Sequence, residues 1–279
     1  MNEYFITYCF YLGLILSLLI GFGFGFYFLV KSGWNNLSSK FGTYAFVPRF
    51  IGTPVHELGH LIFAVLTGSK IKRVKLFPKI NARLRKSGGG YVEFSPRKGI
   101  LGSISCFFSG IGPLIFCPFV IMVLMYFLMP ELYAGMRNVF AQTNILEQGN
   151  LMPVMGTVIQ EFFGSFRFEM LEEWNFYLFL ILAIPIANEC ILSVADVKNA
   201  GQGFIVFAIA LVAFGYAISY LPSIAVPVIT GLAKVSSFFM CILCLGLVFN
   251  LIHWGLGAIV HFLLEQSVQA HLNSPAPHS

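Results

Sequence analysis

Residues 53–65 read TPVHELGHLIFAV, an apolar run holding two histidines and a glutamate, His56, Glu57 and His60. Four residues separate the histidines, so on an α-helix they stand one above the other on a single face. Ionisable groups are costly in hydrocarbon unless they pair or serve a function. The surroundings of this stretch therefore decide how the rest of the chain is read.

Those surroundings are apolar almost throughout. Of 279 residues, 57% are hydrophobic and only 10% charged, where ordinary globular domains carry about a quarter charged residues. Runs of about 18 or more nearly uncharged residues are long enough to cross a ~30 Å hydrocarbon core. They fall near 5–30, 41–68, 100–129, 176–194, 204–220 and 235–264. The first lacks a basic start and a small-residue cleavage site, so it reads as a retained span and not a signal peptide. The expectation is an all-α polytopic membrane protein with about six transmembrane helices, integral and multi-pass. A single domain would cover 1–265, and the polar tail 266–279 would be disordered.

One segment differs in kind. Residues 69–98 carry ten Lys/Arg against one acid, Glu93, in an alternating pattern around Gly88, Gly89 and Gly90. That pattern predicts a small β-hairpin between the second and third spans, with the glycines at its turn. Residues 131–173 carry six acids against two basic residues. Lys/Arg-rich loops stay cytoplasmic, which puts the hairpin on that side and 131–173 on the other. The net charge of +5 thus speaks to topology, and no nucleic-acid partner is expected. The six cysteines all lie in or beside apolar segments, which indicates no disulfide framework. The CILC string at 241–244 reads as packing.

Within the opening stretch, Pro54 suits the first turn of a helix, so the helix is expected to start near Thr53, with Thr53 a candidate cap. From there to Thr67 is about 22 Å at roughly 1.5 Å per residue, short for a full crossing. H-E-x-x-H on a helix offers two imidazoles to one zinc ion, with the glutamate placed to take a proton from an activated water. A catalytic zinc site normally has a third protein ligand. The candidates are Glu189, Asp196, His253 and His261. Asp196 stands at a polar break read as the end of the fourth span. Glu189, seven residues earlier, shares its helical face and suits either a ligand or its support. His253 and His261 share a face of the last span.

HELGH in an apolar helix, a basic glycine-containing hairpin (IKRVKLFP…GGGYVEF), the string SGIGPLIF and the late LSVADVKNAG occur in this order over 53–203. Together they resemble the site-2-protease class of intramembrane zinc metalloproteases. The chain would be a divergent branch: Asp196 is followed by Val197 and Lys198 where the class has glycine, and no asparagine follows Pro113 closely. The resemblance implies His56, His60 and Asp196 as zinc ligands, Glu57 as the base, and a hairpin beside the site able to receive substrate as an added strand. The expected function is a membrane-embedded zinc metalloendopeptidase acting on a membrane protein or peptide at or within the bilayer. Two alternatives stand beside it: an integral-membrane metalloprotease with Glu189 as distal ligand, and a non-catalytic zinc-binding scaffold.

Overall fold

The computed structural model describes residues 3–41, 48–81, 86–142, 160 and 164–272. Long helices occupy all six apolar stretches. They are α1 (Glu3–Phe41), α2 (Arg49–Leu66), α3 (Ile100–Leu128), α5 (Trp174–Asn188), α6 (Val194–Ile218) and α7 (Pro222–Leu272). A shorter helix, α4 (Pro130–Gln142), and a 3-10 turn at Phe168–Glu172 fall within the segment expected to be a loop. Glu3–Ser32, Ile100–Leu128 and Val194–Ile218 are long and apolar enough to cross a membrane. One continuous cluster of buried side chains runs from Tyr8 and Phe26 of α1 through Leu114 and Ile121 of α3 and Phe179 of α5 to Phe249 of α7.

Several helix limits differ from the expectation, each for a local reason. α1 continues through the polar string at 31–40, because nothing there forces a stop: the string lacks proline, and a lone glycine costs only about 1 kcal/mol. α2 begins at Arg49 with Pro48 at the N-cap. Thr53 is therefore no cap but a buried residue inside the helix, and Pro54 lies in the second turn. The proline-rich connection at 221–234 is also helical. Pro222 takes the first position of α7, where a missing N–H costs nothing. α7 also carries on to Leu272, past the expected boundary at 266, while 273–279 lie outside the described residues.

Between α2 and α3 the chain forms two antiparallel pairs. β1 (Lys70–Lys75) pairs with β4 (Tyr91–Ser95), with Lys75 opposite Tyr91 and an irregularity between Ile71 and Arg73. β2 (Lys79–Asn81) pairs with β3 (Lys86–Gly88). The hairpin thus lies within the expected 69–98, but its glycines are not its turn: Gly88 is a paired residue of β3 opposite Lys79.

The helices around α2 approach to backbone contact. A Cβ on Gly112 of α3 would come within 2.6 Å of the Gly59 carbonyl, and one on Gly59 within 2.9 Å of Pro113 Cα. Two residues before Gly112, a Cβ on Gly110 would come within 2.7 Å of the Asp196 carbonyl at the start of α6. The SGIGP string therefore lies where α2 and α6 both press against α3. Glycine is what lets apolar helices approach this closely. Replacing Gly59 by Ala should lower stability by about 1–3 kcal/mol through overpacking. The same change at Gly21, where an added Cβ would meet nothing within 4 Å, should have no such effect. Thermal unfolding of the two variants in detergent checks the crossing, and equal midpoints would refute it.

Candidate metal centre

His56 and His60 of α2 and Asp196 of α6 converge, their ligand atoms all within 4.8 Å of one another. All three side chains are buried. His60 Nε2 lies 3.1 Å from His56 Nε2 and 3.1 Å from Asp196 Oδ1, and His56 Nε2 lies 3.8 Å from Asp196 Oδ2.

The far side of each ligand is tied to the main chain. His60 Nδ1 is 2.6 Å from the Ser109 carbonyl, and His56 Nδ1 is 2.7 Å from the Glu189 carbonyl. A carbonyl oxygen only accepts, so both Nδ1 atoms carry protons, and in a neutral ring that leaves Nε2 bare. Asp196 is held in a different way. Its Oδ2 accepts the Ser193 N–H at 2.7 Å, while its own N–H donates to Ser193 Oγ at 3.2 Å.

The two carbonyls are available because helices are interrupted nearby. In an unbroken α3 the Ser109 carbonyl would accept the N–H of the residue four further on, but that residue is Pro113, which has none. Ser109 Oγ also donates to the His60 carbonyl at 3.3 Å. The Glu189 carbonyl is free because α5 has ended at Asn188, leaving a non-helical connection at 189–193. Within it the Glu189 and Cys190 N–H groups turn back to Ile186 and Ala187. Asn250 of α7 donates to the Ala187 carbonyl at 3.0 Å.

With both rings neutral, three acceptors, two bare nitrogens and a carboxylate, face one another without a donor between them. A shared cation resolves this. Two ligands about 2.0–2.1 Å from one tetrahedral ion stand about 3.3 Å apart; His60 Nε2 is 3.1 Å from both His56 Nε2 and Asp196 Oδ1, and the three ligand atoms, one from each residue, all lie within 4.8 Å. The donor set therefore fits a metal ion.

Asp196 is the third member of the group, but not as the end of a helix. It lies in the first turn of α6, in a reciprocal capping box with Ser193. The S-x-x-D spacing at 193–196 carries that signal, which reading the segment as a span end passed over. Glu189 is no part of the converging group: its carboxylate binds Arg49, with Nε to Oε1 at 2.6 Å. His253 is buried in α7 and also stands outside it. The His261 side chain lies outside the described residues. Glu57 is buried beside the ligands, and the hairpin reaches it, since a Cβ on Gly90 would fall 2.5 Å from Glu57 Cγ.

Sequence reasoning singled out neither Arg49, nor the Ser109 carbonyl, nor Asn188. Asn188 is 1% exposed, and neither polar atom of its amide has a hydrogen-bond partner among the described residues. For Ser109 a signal existed: the histidine-bearing helix needs an acceptor, and a proline four residues on releases one. Pro113→Ala supplies an N–H that competes for the Ser109 carbonyl. It should weaken metal binding by about tenfold, the lower end of what outer partners of ligands contribute. Competition with a chromogenic chelator measures this, with Pro227→Ala in α7 as the unaffected comparison.

No protein-family model, curated protein or solved structure matches this chain, so its function is to be read from the convergence of His56, His60 and Asp196 beside Glu57.

Proposed function

We propose that the chain is a multi-pass membrane zinc metalloendopeptidase, a divergent relative of the site-2-protease class, hydrolysing peptide bonds of membrane-associated substrates at or within the bilayer. The observation that carries this reading is the meeting of three buried acceptors, two of them imidazole nitrogens, with a buried glutamate one residue from His56. Imidazole and carboxylate donors suit zinc. His56, His60 and Asp196 would hold the ion. When bound there, zinc supplies an acidified water and a polarised carbonyl.

The chain's own residues account for the remainder. The Glu57 carboxylate accepts a proton from the attacking water and returns it to the departing amine, the double role of a general base and acid. Main-chain partners fix the ligands before substrate arrives, so little reorganisation is left for the reaction itself. The hairpin at Gly90 borders Glu57. Its β1–β4 pair offers edge groups to an extended peptide. A helical substrate hides its carbonyls, and pairing as a strand would expose them.

Membrane embedding is supported by outward apolar surface on the long helices. Ile205 and Ile209 of α6, Phe127 of α3 and Phe28 of α1 are each more than half exposed. In water such surface is unusual in quantity, and in lipid it is the expected face. The shorter apolar segments Trp174–Asn188, Pro222–Ser236 and Leu243–Ile259, the last two within the single helix α7, add to the three long spans, and counting α2 the proposed arrangement is multi-pass with about six crossings. The distal-glutamate alternative is disfavoured because Glu189 is engaged by Arg49. A pure scaffold has no use for Glu57.

Glu57→Gln should retain zinc at wild-type stoichiometry and lose cleavage by about 10²- to 10⁴-fold, the usual contribution of a general base. Metal analysis of the purified variant gives the first quantity. Accumulation of uncleaved proteins in membranes from cells carrying the variant gives the second. A wild type purified without zinc, and unable to take it up, would sink the proposal.

A further inference from the structure

Arg49 and Glu189 form a part-buried ion pair that joins the start of α2 to the end of α5. Arg49 Nε donates to Oε1 at 2.6 Å and Nη2 to Oε2 at 3.4 Å, so the guanidinium engages both oxygens. The Glu189 side chain is 7% exposed and that of Arg49 23%. Glu189 is held at its other end as well, since its carbonyl accepts His56 Nδ1–H at 2.7 Å. Arg49 and His56 are seven residues apart and so share a face of α2. Between them is Gly52, where a Cβ would fall 2.7 Å from Glu189 Cγ. Arg49, Gly52 and His56 thus form one stripe of α2 along which Glu189 lies, gripped by its carboxylate at one end and its main chain at the other.

We infer that Arg49 and Glu189 are positioning residues of the metal centre, fixing the main chain at 189 so that its carbonyl holds the His56 ring with Nε2 aimed at the shared focus. The inference rests on the metal-binding reading of His56, His60 and Asp196. Position 189 needs such an anchor because it has left the helix: α5 ends at Asn188, and the helical ladder no longer sets its carbonyl direction. The pair also balances charge. Glu57, Glu189 and Asp196 are three buried carboxylates, and one guanidinium with one divalent ion neutralises them. Loss of Arg49 would leave the buried Glu189 charge uncompensated in a medium of low dielectric.

A staple that merely joins α2 to α5 would predict an effect on folding alone. The separating measurement is therefore metal binding, read as zinc affinity by chelator competition and as the visible d–d spectrum of the cobalt-loaded protein. Glu189→Gln keeps the size of the side chain and removes its charge. It should weaken zinc binding by about 10- to 100-fold and alter the cobalt band, which reports the angles at the ion. Arg49→Lys keeps the charge without the two-pronged grip and should retain part of the affinity that Arg49→Met loses. Glu131→Gln breaks the exposed Arg167–Glu131 pair, 3.4 Å apart, and should leave affinity and spectrum unchanged. Wild-type affinity and spectrum in both Glu189→Gln and Arg49→Met would overturn the inference, and so would losses no greater than those of Glu131→Gln. His60→Ala keeps the two readings apart. If it binds zinc like wild type, the metal reading itself fails. If it abolishes binding while Glu189→Gln does not weaken it, only the positioning role fails. Should Glu189→Gln not fold, Arg49→Lys against Arg49→Met carries the same comparison.

Discussion

Each of the three converging side chains has two polar ends, and in each case the main chain holds one and leaves the other to point inward. His60 gives Nδ1–H to the Ser109 carbonyl, His56 gives Nδ1–H to the Glu189 carbonyl, and Asp196 takes the Ser193 N–H on Oδ2. The rest of the site follows from this. Imidazole rings turn freely about their side-chain bonds unless an outer partner fixes them. With Nδ1 so engaged, only Nε2 can face the focus, and in neutral rings the inward atoms are all acceptors.

The main-chain groups that do this are available only because regular structure is broken at three places. Pro113 withholds an N–H inside α3, α5 stops at Asn188, and α6 starts again at Val194. In apolar surroundings a released backbone group costs several kcal/mol unless something replaces its partner. Here the ligands and Asn250 are the replacements. The breaks and the ligands therefore depend on one another: the helices could not be interrupted there without the polar side chains, and those side chains could not be aimed without the interruptions. The glycines at 110 and 112 complete the arrangement by letting the Asp196 turn and α2 reach the same part of α3.

How much of this a reader of the sequence could see depended on the range of the interaction. The histidine pair was legible because four residues along a helix fix a geometry, and Asp196 stood among a few candidates because ionisable residues are scarce in so apolar a chain. The class of fold was legible for the same reason. Helix ends were less so, because prolines at 48, 54, 222 and 227 all look like possible starts, and the neighbouring helix decides which of them is one. The glycines at 88–90 looked like a turn, but pairing across the hairpin made Gly88 part of a strand. Partnerships across 140 positions, as between Arg49 and Glu189, leave no trace in local spacing. Glu189 was noticed as a carboxylate, and its part in the site comes from its carbonyl, which every residue has.

Asp196 shows most clearly why placement at the start of a helix suits a ligand. A carboxylate with both oxygens unengaged could turn either edge toward an ion, or rotate away from it. The capping box takes Oδ2 for the Ser193 N–H and leaves Oδ1 at 3.1 Å from His60 Nε2. The positive end of α6 suits an anionic side chain in its first turn. At the end of α5 the same aspartate would meet the negative end of a helix and carbonyls that only accept. Moving the residue from the close of one helix to the opening of the next therefore changes it from a solvated turn residue into an oriented anion, and the five residues of non-helical chain before α6 are what make that position available.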